Sequence, residues 1–209
     1  MELVAIDLEG SGAQDRDHEA ILEIALVPIV DWQPDMTRAY CTLINPQRPI
    51  PRRPWISPGL TDDSLRTAPT TATVEPELAH RINGKYLVGH NVGVDWRLLH
   101  RRCPTITPTG LIDTLRLART IDPKAQHGLT ALLERYELTS EVHRLAPGGN
   151  PHQALWDTAG SALLLTTLAT RVLGEQPETE TLLKAAGIPT DRPATPPTAT
   201  QPSLFDATG

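Results

Sequence analysis

Apolar residues group first into three strand-like runs, residues 2–9, 20–30 and 36–45. The second, AILEIALVPIV, is apolar enough to be buried on both faces. Pro28 within it points to an edge or a bulge, because proline cannot donate to a ladder. Residues 45–60 (NPQRPIPRRPWISPGL) are too rich in proline for regular structure and read as an ordered surface loop. Thr61-Asp62-Asp63 fits the cap of a short helix, and residues 73–83 predict a longer one that stops at Asn83-Gly84. KYLVGH predicts a short buried strand, with VGVDWRLLHRR following it as a helix. After the turn at Pro104–Pro108, GLIDTLRLART predicts a short strand running into a helix. In HGLTALLERYEL the apolar positions Leu129, Leu132, Leu133 and Tyr136 make a helical stripe. A loop containing Pro147-Gly148-Gly149 then precedes a long helix from about 153 to 173, and ETETLLKAAGI predicts one more small helix.

Strands first, then strands mixed with helices, predict an α/β fold built on a mixed sheet flanked by helices. Residues 1–174 make one domain, 175–188 a short helical extension, and 189–209 a disordered Pro/Thr-rich tail whose apolar content is too low to fold alone. A length of 209 residues agrees with one domain plus terminal material. The chain begins almost directly with the strand ELVAIDLE, which leaves no room for a signal or transit peptide. ALLLTTLATRVL is too short and interrupted to span a bilayer, so no membrane is expected. Cys41 and Cys103 have neither metal-type spacing nor the numbers for a disulfide framework, and read as reduced thiols in a cytoplasmic protein.

The net charge of −6 argues against a protein that coats duplex nucleic acid. Local positive clusters exist nevertheless: Arg48, Arg52 and Arg53; Arg97, Arg101 and Arg102; Arg116, Arg119 and Lys124. Each has a bland reading as a solvated face. An enzyme that grips only a strand end needs few phosphate contacts, so such clusters would suffice.

Chemistry concentrates in four acids and a histidine: Asp7 and Glu9 in VAIDLEG, Asp95 in GHNVGVDWRLL, and His152 with Asp157 in HQALWDTAG. Asp7 and Glu9 are two apart on a strand, so both leave the same face while Leu8 points to the other. Paired carboxylates repel unless a cation lies between them. A solvent-facing acidic edge is the competing reading, weakened by the interior character of Val4, Ala5, Ile6 and Leu8. Asp95 and Asp157 each lie early in a helix, where capping or dipole stabilisation is the alternative. His152 lies in the loop before the second of those helices, and histidine is the side chain most often used for proton abstraction near neutral pH.

The order DxE, HNxxxD, HxAxxD resembles the DEDDh (DnaQ-like) 3′→5′ exonuclease family. The nearest subgroup is the proofreading (epsilon) subunit of bacterial DNA polymerase III. The resemblance spans roughly residues 2–172 and includes LEIALVPIV, NPQRPIP followed by SPGLTDD, LIDTLRLAR and HGLTALLERYEL. It implies a ribonuclease H-like fold in which Asp7, Glu9, Asp95 and Asp157 hold two Mg²⁺ or Mn²⁺ ions, with Asp7 bridging both. His152 would deprotonate the attacking water, releasing a nucleoside 5′-monophosphate from the 3′ end of a DNA strand. Leu8, Gly10, Ser11, Gly12, His90 and Asn91 would contact the terminal nucleotide. RNA trimming and a role as a clamp-associated adaptor are the alternative readings.

Three departures bear on substrate preference rather than catalysis. The family's DTETTG is Asp7-Leu8-Glu9-Gly10-Ser11-Gly12 here. Val94 stands where an aromatic commonly precedes the aspartate, and the usual His-Gly-Ile-Thr is Ser57-Pro58-Gly59-Leu60-Thr61. In the tail, Gln201-Pro202-Ser203-Leu204-Phe205 is similar to the bacterial sliding-clamp-binding peptide, whose glutamine and Leu-Phe pair fill pockets. A sliding clamp and a DNA polymerase are thus candidate partners beside nucleic acid 3′ ends. A chance match in the tail is the competing reading.

Overall fold

The computed structural model describes residues 1–12, 19–51, 54 and 56–190. One seven-stranded mixed sheet organises them, in the order β3-β2-β1-β5-β6-β7, with β4 also paired to β2. Strand β1 (Leu3–Gly10) lies inside the sheet, antiparallel to β2 (Ile21–Val30) and parallel to β5 (Tyr86–Gly89). β6 (Gly110–Asp113) continues the parallel part. β3 (Gln33–Pro34) and β4 (Tyr40–Leu43) share the far side of β2. Pro28 sits between the stretches of β2 that those two strands pair, and its carbonyl accepts from Asp35 N at 2.8 Å, so the ladder loses nothing there. The run 36–45 forms a strand only over its later part. Asp35 caps a single 3-10 turn at Met36–Arg38 instead.

Alternation along β1 divides the core in two. Leu3 and Ala5 join the cluster under helices α4 (Thr114–Ile121), α5 (Leu129–Arg135), α6 (Thr139–Leu145), α7 (Ala154–Leu173) and α8 (Thr179–Ala186). Val4 and Ile6 join the cluster under α2 (Thr71–Ile82) and α3 (Gly93–Arg102). β2 alternates the same way, with Val27 and Ile29 on the α7 face and Ile24 and Leu26 on the other. Both faces are therefore covered, as the continuous apolar runs require. The remaining helix, α1 (Asp62–Leu65), starts at Thr61 with a capping box to Ser64.

The segment after α7 is not a simple appendage. Leu182 and Ala186 are buried in the main core, and β7 (Gly187–Ile188) adds an antiparallel strand to β6. Thr190 O then accepts from Trp96 Nε1 at 2.9 Å, tying this segment to α3. Among the described residues, no helix is long and apolar enough to cross a membrane. The tail from 191 on, with Gln201, Leu204 and Phe205, lies outside the described residues.

Candidate active site

The alternation that packs Leu3 and Ala5 against α7 continues past the end of the helix. Positions 7 and 9 on that face are carboxylates. Carboxylate oxygens of Asp7, Glu9 and Asp157 all lie within 4.8 Å of one another. Asp157 comes from the first turn of α7 and is 9% exposed. Asp95 reaches the strand from the opposite face: it belongs to the first turn of α3 and accepts the Leu8 backbone N–H at 3.1 Å. Leu8 itself packs into the α3-side core. The four acids thus meet at the C-terminal end of β1.

Their electrostatics follow from crowding. Burial first, then the charges of Asp95, Asp157, Glu9 and Glu23, hold the Asp7 carboxyl well above the usual range. Burial is also the largest cause that pushes Glu9 up to about 7; a hydrogen bond from the Ser57 hydroxyl works against it, while Asp157 and Glu23 add to it. Asp95 rises to about 8, again chiefly by burial and against the Leu8 N–H. Asp157 rises to about 6 by burial, against the His152 N–H. So many carboxylates cannot all ionise together without a cation among them. Their donor set is all oxygen, which suits a hard divalent ion such as Mg²⁺ or Mn²⁺.

His152 is exposed at the turn before α7 and has φ +66°, a left-handed conformation uncommon for a residue with a Cβ. Its backbone is held on both sides. His152 N donates to Asp157 Oδ2 at 2.9 Å, and its carbonyl accepts from Ser57 Oγ. Two positions on, Ala154 N donates to Glu23 Oε2 at 3.2 Å. Gln153 supplies no side-chain cap to α7, so Glu23, reaching across from β2, fills part of that role.

The expected nucleotide-contacting residues divide. Gly10 is tightly enclosed: a Cβ there would stand 3.2 Å from Glu19 Oε1 and 3.3 Å from Leu98 Cδ2. Ser11 is buried, and its Oγ accepts Ala20 N at 2.9 Å. Gly12 is half-buried with φ +59°. Asn91 is exposed with φ +66°, and its backbone N–H goes to Asp113 Oδ1 at 2.9 Å. His90 turns inward: Nδ1 pairs with Thr114 Oγ1 at 2.9 Å and Nε2 with the His127 carbonyl at 2.7 Å. Neither ring nitrogen is left for a nucleotide, and burial lowers its pKa to about 4.

Three residues of the site's surroundings were not foreseen. Glu23 pairs with Glu9 across the β1–β2 ladder, and an acid in the middle of AILEIALVPIV was a readable signal. Asp113 is 5% exposed, caps α4 through Leu115 N, and orients Asn91. Ser57 is 3% exposed and lies in the proline-rich loop; the sequence marked it as the start of the segment that replaces His-Gly-Ile-Thr, but not as a partner of His152. It also lines a cleft of about 540 Å³ with Ile50, Ile56, Pro58 and Leu60.

A mixed sheet flanked by helices, with acids at the end of its inner strand, defines a ribonuclease H-like nuclease, a hydrolase. A family model described as exonuclease (RNase T type) matches residues 4–165, and the chain belongs to that family. A DNA polymerase III subunit epsilon-like protein of Rhodobacter capsulatus is 31% identical over 166 residues, covering 78% of this chain and 23% of that protein. The DNA polymerase III subunit epsilon of Rickettsia conorii is 26% identical over 164 residues, covering 75% of this chain and 68% of its own length. Among solved structures, exonuclease X in complex with 5′ overhanging duplex DNA is 26% identical with TM-score 0.66, covering 88% of this chain and 98% of that one. The chain thus spans under a quarter of the first relative and about two thirds of the second. Exonucleases of this family and fold use divalent metal ions, and the acid cluster suits that use.

Proposed function

We propose that the protein is a 3′→5′ exonuclease that hydrolyses the terminal phosphodiester of single-stranded or frayed DNA. The observation that carries this reading is the meeting of Asp7, Glu9 and Asp157 within 4.8 Å, with the turn bearing His152 bonded to one of them. In the proposal, Asp7, Glu9 and Asp157, with Asp95 beside them, would hold the divalent ions. Bound divalent ions would neutralise these acids, polarise the phosphoryl oxygens and ease deprotonation of water. Asp95 also steadies the ligand set, since its bond to Leu8 N fixes the strand that carries Asp7 and Glu9.

The exposed His152 imidazole accepts the proton of the attacking water. The water oxygen bonds to phosphorus, the P–O3′ bond breaks, and the 3′ oxygen leaves with a solvent proton. A nucleoside 5′-monophosphate departs. Leu8, Gly10, Gly12 and Asn91 are proposed to line the terminal nucleotide through backbone and packing contacts, with Ser11 shaping that wall from behind.

DNA is favoured because one relative named above is a DNA polymerase III subunit epsilon, the other is an epsilon-like protein, and the exonuclease X structure holds DNA. Cytoplasmic replication or repair is the corresponding setting, and Gln201, Leu204 and Phe205 are the residues proposed to engage a sliding clamp. Asp7→Ala should abolish degradation of a 3′-labelled oligonucleotide in Mg²⁺; undiminished activity would sink the site. His152→Ala should cost about 10²–10⁴ in rate while Mg²⁺ binding by calorimetry persists. Matched DNA and RNA strands in the same assay decide between DNA and the RNA-trimming alternative.

A further inference from the structure

Helix α7 starts without a cap of its own. The Gln153 side chain turns backward, its Oε1 accepting Asn150 N at 2.9 Å, and gives nothing to the helix it precedes. The first N–H groups of a helix have no partner within it and need one from outside. Ala154 N finds that partner in Glu23 Oε2 at 3.2 Å, a side chain 131 positions away on β2. Glu23 is held from its other side as well, since Cys41 Sγ on β4 donates to Oε1 at 3.6 Å. The ladder fixes where the carboxylate stands: Glu23 faces Glu9, and directly beyond that pair the register shifts so that Gly10 faces Ile21. Such a bulge re-aims side chains beside a site.

Further along, Thr158 Oγ1 donates to Ala25 O at 3.4 Å and Thr166 Oγ1 to Trp32 O at 2.8 Å, so α7 is tied to the β2 side at successive levels. The Glu23 level is the one that meets the chemistry. Around Ala154, His152 N bonds to Asp157 Oδ2 at 2.9 Å and Asp157 N to Gln153 O at 3.1 Å. Anchoring Ala154 therefore anchors the turn that carries His152 and the first turn that carries Asp157. Two acids directly opposite each other destabilise a ladder, so Glu23 stands against Glu9 at a cost to the sheet. A carboxylate at a helix N-terminus offsets part of that cost. The acids that gather within 4.8 Å are Asp7, Glu9 and Asp157, while Glu23 uses its oxygens on Ala154 and Cys41.

We infer that Glu23 is a positioning residue for the hydrolysis, a cap from outside the helix that sets where α7 begins and with it the placement of His152 and Asp157. The inference rests on the roles proposed for those two residues. What Glu23 supplies is an acceptor oxygen at a given reach rather than a charge. Glutamine in its place keeps the acceptor and the reach, whereas aspartate keeps the charge and is one methylene short.

The test compares full-length wild type with Glu23→Gln, Glu23→Asp and Glu23→Ala, each checked for folding by its thermal transition. Hydrogen–deuterium exchange is followed in the peptide spanning residues 150–158, and kcat and KM are measured on a 3′-labelled oligonucleotide in Mg²⁺. Glu23→Ala and Glu23→Asp should exchange several-fold faster than wild type in that peptide. They should also lose at least about tenfold in kcat, the scale of a displaced catalytic group, with KM nearly unchanged. Glu23→Gln should match wild type in exchange, in kcat and in the Mg²⁺ concentration needed for half activity. Should Glu23→Ala fail to fold, the Glu23→Asp and Glu23→Gln pair decides. Equal exchange, or equal kcat, in wild type and Glu23→Ala overturns the inference. So does a Glu23→Gln as impaired as Glu23→Ala; a raised Mg²⁺ requirement would then make Glu23 a metal ligand. A change in KM alone overturns it too, making Glu23 a substrate contact. Wild type without nuclease activity sinks the proposed function, and the inference with it, even where exchange shows that Glu23 caps α7.

Discussion

Each acid of the site has a carboxyl that burial and its neighbours push upward, and this gives the molecule a pH signature. Asp7 lies well above the usual range, Glu9 at about 7 and Asp95 at about 8, against about 4 in an unfolded chain. Between those values the folded state holds protons that the unfolded state has released, so stability falls as pH rises. His90 works in the opposite sense, since a pKa lowered to about 4 costs stability only on acidification below its unfolded value of about 6.5. The window from about pH 6.5 to about 8.5 therefore isolates the acids. In EDTA the melting temperature should drop across it, by about 2–4 °C for each kcal/mol lost in a chain of this size. Mg²⁺ should restore it, most strongly at the alkaline end; a rise toward that end in EDTA would contradict the site. The acids were readable because carboxylates inside apolar runs are costly enough to demand a reason. Ser57 was not, because its meaning lies in a partner 95 positions away. His90 was misleading for the same reason: only the fold reveals that Thr114 and the His127 carbonyl take both of its nitrogens.

Among the elements, α7 carries the greatest burden. Its N-terminal turn supplies Asp157 and holds the His152 turn, while its middle is buried nearly all round. Leu164 is fully buried in that middle, in the core shared with β1. Leu164→Ala should cost about 2–5 kcal/mol, read from the urea midpoint at constant slope. A loss under about 0.5 kcal/mol would mean the helix is less tightly seated than its burial indicates. Long elements such as α7 and β2 were legible because their periodicity extends over many positions. Some short ones were legible from their flanks, as β5, β6 and α1 were, but α6 and β7 were not. α6 is a seven-residue helix, and β7 is a two-residue strand that exists only because β6 offers an open edge. The early part of 36–45 failed as a strand because Asp35 captures Thr37 and Arg38 locally.

At the scale of the whole molecule, the sheet is finished by residues that follow the catalytic motifs. β7 covers β6, and Thr190 takes up the Trp96 indole N–H. Truncation after Ala186 should lower the urea midpoint and promote self-association through the bared β6 edge, seen as earlier elution on size exclusion. An unchanged midpoint and elution would show that β7 is dispensable. The distribution of the site has a consequence in time. Asp7 and Asp157 stand 150 positions apart, one on the inner strand and one on the last long helix. A ribosome therefore releases the first half of the site long before the second. Until α7 has emerged and docked, the nascent chain carries its acids without their partner. The three-acid cluster therefore cannot close until the inner strand and the last long helix have both been made and have met.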